Sequence, residues 1–170
     1  VTLVATDAGD GNEHDFVLWR RPRLVADKQP DLLLRDIEQL QGLDRGTFGK
    51  HPDGRAIDAA SVCVRAPAAL TLRIPGKIAA GRELVVSAEL EPATGRAGSV
   101  QVEAVIGPAT AKSGLIPSTT IATLSTVTAL YPEHRTITFQ RPLLIAPDSP
   151  LKARLIAALA AHRQLFPPSL

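Results

Sequence analysis

Apolar and polar residues alternate with a period of two through most of the stretch 61–148, and this is what most constrains how the chain can fold. Leu70, Leu72 and Ile74 share one side, with Thr71 and Arg73 opposite. Leu84, Val86, Ala88 and Leu90 repeat the pattern, as do Val100, Val102, Ala104 and Ile106, and then the pairs Ile137 with Phe139 and Leu143 with Ile145. Alternate side chains of a strand point to opposite faces, so each run predicts a strand with one face on a core. Pro67, Pro75-Gly76, Gly81, Pro92, Gly98 and Gly107-Pro108 bound the runs. Short strands at this spacing predict a mainly β chain, an antiparallel β-sandwich of jelly-roll or Ig-like type. No βαβ alternation is present, which disfavours a parallel sheet.

Hydrophobic residues make up 45% of the 170, enough for a core, while aromatics are only 4%, so Val, Leu, Ile and Ala must build it. The single cysteine, Cys63, can form no internal disulfide and reads as a small buried hydrophobe in Val62-Cys63-Val64. Without a Cys-x-x-Cys-His run, no c-type haem is attached. The 19 basic and 17 acidic residues are dispersed, with no basic block of the kind a nucleic-acid partner requires. No apolar run approaches the ~20 residues of a membrane-spanning helix, so no membrane insertion is expected.

Four parts follow along the chain. Residues 1–25 read as two strands joined by a turn, Thr2-Leu3-Val4-Ala5 leading in and Phe16-Val17-Leu18-Trp19 leading out. A lone strand pair is marginal in water; the sequence leaves open whether these strands pack on the sandwich or on a neighbouring domain. Residues 26–60 read as a connector. Asp36-Ile37-Glu38-Gln39 has capping-box spacing and Gly42 is a stop, which predicts a short helix near 36–41. A long loop follows from Gly46 to Asp58. Residues 61–148 form the sandwich, with a further strand expected over Ser118–Leu124. Residues 149–166 form a C-terminal helix, with Ser149 as cap, Pro150 in the first turn, a Leu151, Leu155, Leu159 stripe, and Pro167-Pro168 as its end. The chain lacks Met, so an excised or processed piece is the expectation, with any export signal upstream.

The densest polar constellation is Asp7, Asp10, Asn12, Glu13, His14 and Asp15. Clustered oxygens could hold Ca²⁺, with Asp7, Asp10, Asn12 and Asp15 as its ligands, although the EF-hand pattern does not fit. The competing reading is a turn in which Asp and Asn side chains bond their own backbone. Trp19, the only tryptophan, stands beside Arg20 and Arg21 and could stack on a sugar ring, or else be core. His14, His51, His134 and His162 follow no metal-ligand spacing. There is no Gly-x-Ser-x-Gly, Gly9-Asp10-Gly11 is too short for a phosphate loop, and Glu89 with Glu91 reads as a solvated strand face. Gly98-Ser99 and Ser113-Gly114 read as ordinary loop dipeptides. No catalytic residue is nominated, and no cofactor beyond Ca²⁺.

The run Asp7-Ala8-Gly9-Asp10-Gly11-Asn12-Glu13-His14-Asp15-Phe16-Val17-Leu18-Trp19, with Arg23-Leu24 after it, resembles the closing strands of NPCBM-like jelly-roll modules. The continuation through Asp31-Leu32-Leu33-Leu34-Arg35-Asp36, and the tail His162-Arg163-Gln164-Leu165-Phe166-Pro167, are similar to segments of large secreted, cytochrome-associated multidomain proteins of planctomycete-type bacteria. That resemblance implies an extracellular or periplasmic setting, carbohydrate binding by such modules, and in some of them structural calcium.

The expected function is a non-catalytic accessory β-sandwich that spaces or docks neighbouring domains of a larger exported protein. The alternative is a carbohydrate-binding module for polysaccharide, calcium-dependent or not, using the loop 7–15 and Trp19 with Arg20. An enzyme would require a deep pocket gathering His51, Asp53 and Arg55.

Overall fold

Most of the alternating runs become strands. The computed structural model describes residues 1–116 and 141–165. Its elements are β1 (Thr2–Thr6), β2 (Phe16–Ala26), β3 (Gln29–Leu33), β4 (Val62–Arg65), β5 (Ala68–Thr71), α1 (Gly76–Ala79), β6 (Glu83–Leu90), β7 (Ser99–Val105), β8 (Leu143–Ile145) and α2 (Pro150–Gln164). The strand expected over Ser118–Leu124, the Ile137 and Phe139 pair, and the Pro167-Pro168 stop lie outside the described residues.

The strands form two antiparallel sheets. One has the order β5-β1-β7-β8. In the other, the long strand β2 pairs with β6 along one edge and with β4 and then β3 along the other. Leu3 and Ala5 of β1, Val17, Trp19 and Leu24 of β2, and Val100 and Val102 of β7 meet in one core. Burying side chains of this size stabilises by roughly 1.5–3 kcal/mol each. The expected mainly β fold with a C-terminal helix is what the chain adopts.

The two N-terminal strands do not pair with each other. β1 sits between β5 and β7, whereas β2 is in the opposite sheet. The loop 7–15 therefore crosses between layers, and residues 1–25 share both sheets with 61–148. The packing partners of the N-terminal strands are the strands of 61–148 in these two sheets.

The short helix expected near 36–41 does not form. A 3-10 turn at Leu34–Asp36 is followed by extended backbone at Ile37, and Asp36 pairs with Arg35 at 2.9 Å and does not cap a helix. Ile37 N donates to Leu34 O and Leu40 N to Ile37 O, each at 3.2 Å. Turns of three residues place Leu34, Ile37 and Leu40 on one side, and all three enter the core. Tertiary burial of that three-residue spacing outweighs the capping signal.

Two further expectations shift at the edges. Ile106, placed by the alternation with Val100 and Val102, lies just past the end of β7 and is 95% exposed. The stripe on α2 is buried only at Leu151 and half-buried at Leu155, while Leu159 is 59% exposed. The body of the protein meets the first turn of this helix, where Ser149 accepts from Leu151 N as the expected cap.

Candidate functional site

The loop 7–15 is built inward. Asp7 accepts from the amides of Gly9 at 3.1 Å and Gly114 at 2.6 Å, and from the Ser113 hydroxyl at 2.7 Å. Burial alone would raise its pKa, but these bonds to the charged form outweigh it and hold the carboxyl below its ordinary value. Asp10 Oδ2 accepts from the Ser99 hydroxyl at 2.6 Å and from Leu151 N at 3.1 Å, so it helps cap α2. The Asn12 side-chain oxygen faces the Arg65 guanidinium at 3.1 Å, and its carbonyl accepts from Arg65 Nε at 2.7 Å.

Asp15 is only 2% exposed, and one oxygen accepts from Ser99 N at 2.8 Å. Burial, reinforced by the negative charges of Asp10 and Asp7, pushes its carboxyl up to about 7 against the opposing Ser99 amide. Asp15 Oδ2 and Asp10 Oδ1 are buried without a hydrogen-bond partner. The approach of Ser99 depends on Gly98, whose position would drive a Cβ into the carbonyl of His14. Gly98-Ser99 is thus a close-packed joint between the loop and the sheet, a role that its two small residues do not announce in the sequence.

Each of the proposed Ca²⁺ ligands therefore has at least one oxygen taken by the protein's own donors, while Asp10 Oδ1 and Asp15 Oδ2 have none. Among the described residues, no three His, Cys, Asp or Glu side chains are grouped to hold a metal ion. The turn reading, in which acidic side chains bond local backbone, describes Asp7 only in its bond to Gly9, since Asp7 also accepts from the distant Ser113 and Gly114. Asp10 and Asp15 go further and tie the loop to β7 and α2. Glu13 and His14 are exposed and border a shallow depression with Phe16, Thr94 and Arg96.

Trp19 is 2% exposed and belongs to the core. Its ring offers no platform to a sugar, which removes it as a stacking residue; Arg20 beside it is paired with Glu89 at 2.9 Å. Cys63 is buried opposite Leu18 in the sheet, and burial, then the Glu91 charge, pushes its thiol up to about 12. Such a thiol is not a nucleophile at neutral pH.

His51, Asp53 and Arg55 do come together, and Glu91 and Thr94 complete the group. His51 Nε2 lies 3.1 Å from Thr94 Oγ1, and Asp53 Oδ1 lies 2.8 Å from His51 Nδ1. A hydroxyl, an imidazole and a carboxylate in a row have the order of a nucleophilic triad. The hydroxyl hydrogen, however, goes to Glu91 Oε2 at 2.7 Å, so Thr94 accepts from His51. The amides of Ala93 and Thr94, the nearest candidates for an oxyanion site, also donate to Glu91 Oε2. Burial would raise the Glu91 pKa, but the Thr94 amide and hydroxyl and the Arg55 guanidinium at 2.9 Å bring it down to about 2. The His51 side chain has no exposed surface and stacks on Phe16 at 4.9 Å between centroids. This network pins the loop 46–58 to the turn after β6.

An irregular stretch of backbone lies in β2. Arg20 is opposite Ser87, but Arg23 is opposite Val85, so Arg21 and Pro22 together face Val86. This is a β-bulge, one extra residue that resets the alternation. Val17 and Trp19 point inward before it, and Pro22 and Leu24 after it, leaving Arg20, Arg21 and Arg23 toward solvent. Arg21 takes φ +41°, and its amide donates to the Ser61 hydroxyl at 3.1 Å. Ser61 is fully buried and donates in turn to Asp58 Oδ2 at 2.7 Å. Arg23 pairs with Asp31 at 2.9 Å, whereas among the described residues the Arg21 guanidinium has no partner. Arg21, Arg23, Asp31 and Leu33 line an open depression of about 500 Å³. The sequence shows the arginines but not the bulge, because the pattern Leu-Trp-Arg-Arg-Pro carries no count of the residues opposite it.

In comparisons with known proteins, the chain matches no family model, no curated protein and no solved structure.

Proposed function

We propose that this chain is a non-catalytic accessory β domain that spaces or docks other domains of a larger exported protein. The observation that carries the reading is the fate of its polar groups. Asp7, Asp10, Asn12 and Asp15 are bonded to the domain's own amides, hydroxyls and Arg65. The Thr94 hydroxyl, beside His51 and Asp53, donates its hydrogen to Glu91. These bonds fasten loops to sheets, which is what a rigid spacer needs. The exported setting comes from the resemblance of the 22–36 segment and the 162–167 tail to large secreted proteins.

A thermal melt with EDTA, with Ca²⁺, and with a panel of plant and algal polysaccharides tests this reading. A ligand that binds only the folded state raises the midpoint by mass action. The expected outcome is an unchanged midpoint throughout. A rise with Ca²⁺ or with a glycan would replace the spacer by a binding module.

A further inference from the structure

We infer that Arg21, held outward by the bulge in β2, is a docking residue for a carboxylate side chain on an acidic segment of a partner polypeptide. The inference rests on the docking reading above and names the chemistry of what is docked.

Three observations converge on it. The bulge is the reason Arg21 faces solvent at all, since an unbroken alternation from Trp19 would turn residue 21 inward and residue 22 outward. Bulges recur where a strand must re-aim a side chain. The conformation is also an unfavourable one for a residue with a Cβ, at φ +41°, and the hydrogen-bond chain from Arg21 N through the buried Ser61 to Asp58 holds it there. Finally, the neighbouring arginines are neutralised within the domain, Arg20 by Glu89 and Arg23 by Asp31, which leaves one guanidinium fork on offer.

A guanidinium presents parallel N–H donors that match a carboxylate in two-point geometry. The depression around Arg21 is open, whereas a small molecule needs most of its surface enclosed. The anion is therefore carried on something larger. The large exposed apolar residues among those described are all aliphatic, Ile106, Leu115, Ile156, Leu159 and Leu165, so no aromatic face stands ready for a sugar. An acidic polypeptide fits this surface better than an acidic polysaccharide. Leu33 and the Arg23–Asp31 pair, which line the depression with Arg21, supply an apolar spot and a polar border.

The test is fluorescence anisotropy of a fluorescein-labelled oligoglutamate peptide against the intact chain and three variants. Arg21→Gly suits the backbone at φ +41°, so it should fold at least as well as the parent while weakening the peptide at least about tenfold. Arg21→Lys keeps the charge but not the fork and should weaken it at least about threefold. Arg96→Ala removes one charge on the turn between β6 and β7 and should stay within about twofold. Absence of oligoglutamate binding to the parent overturns the inference, as does an equal loss in Arg96→Ala and Arg21→Gly. Polygalacturonate bound more tightly than oligoglutamate, and lost with Arg21, would transfer the site to polysaccharide and overturn the peptide assignment. Failure here with flat melts leaves the spacer reading in place; a glycan-dependent melt removes that reading whatever Arg21 does.

Discussion

The carboxylate of Asp10 accepts the backbone amide of Leu151 at 3.1 Å, joining the first loop of the chain to the start of its last helix. Ser149 accepts from the same amide at 3.1 Å, and its hydroxyl lies 3.0 Å from that of Ser99. A carboxylate at a helix N-terminus is favoured both by the free amides and by the helix dipole. Asp10 thus acts as a remote cap.

Removing that cap should destabilise the whole domain. Asp10→Ala is expected to cost about 1–2 kcal/mol, the range of a lost helix cap, and Asp10→Asn less because it keeps an acceptor. Urea unfolding followed by circular dichroism measures both. An Asp10→Ala midpoint equal to the parent's would mean that the Leu151 contact contributes nothing to stability.

Asp15 should give the domain an inverted acid response. Its folded pKa of about 7 lies above the ordinary 3.8, so between these values the folded state keeps a proton that the unfolded chain has released. Stability from this group is fully present below pH 3.8 and is lost as pH rises toward 7. Asp7 and Glu91 act in the other direction. Glu91, brought down from 4.5 to about 2, contributes stability above pH 4.5 that is lost as pH falls through 2. Urea midpoints from pH 3 to 8 should decline through the 4–7 window in the parent and flatten there in Asp15→Asn. A decline of equal size in both would remove Asp15 as its cause.

Glu91 is expected to be the most sensitive carboxylate. It accepts the Ala93 and Thr94 amides, the Thr94 hydroxyl and the Arg55 guanidinium. Glu91→Ala leaves the Ala93 and Thr94 donors without their acceptor and should cost about 1–3 kcal/mol, the range for unsatisfied buried donors. Hydrogen exchange should then accelerate in the loop 46–58, which the network ties down. A loss below about 1 kcal/mol, as for an exposed ion pair, would show that solvent replaces these bonds freely.

Trp19 separates a core role from a contact role. Its Nε1 is buried without a hydrogen-bond partner. Trp19→Phe removes that orphaned donor and should cost clearly less than Trp19→Ala, for which about 3–5 kcal/mol is expected from cavity formation. Thermal unfolding of the two variants decides it. Similar, small losses in both would place the ring outside the core.

Much of this architecture can be read from residue order because period-two alternation reports directly on which face of a strand is buried. Leu84, Val86, Ala88 and Leu90 were legible as one face, and all four pack against the core. The Ser149-Pro150 start of the C-terminal helix was legible for the same local reason, since a cap is a contact between near neighbours. The candidate site was less legible. Asp7, Asp10, Asn12 and Asp15 are recognisable as a polar cluster, but their partners Gly114, Ser99, Leu151 and Arg65 lie 53 to 141 residues away. Trp19 followed by two arginines reads equally as platform or core until the opposite sheet is in place.

Residue order by itself therefore determined the helix start and most strands, but not β3 or the core residues Leu34, Ile37 and Leu40, which lie in the stretch 26–60 that reads as a connector. Tertiary structure alone decided that β1 and β2 enter different sheets, that the acidic loop faces inward to cap α2, and that a bulge presents Arg21 to solvent. Alternation and capping act over a few residues, whereas sheet pairing, register and the partners of a buried carboxylate depend on which distant segments meet.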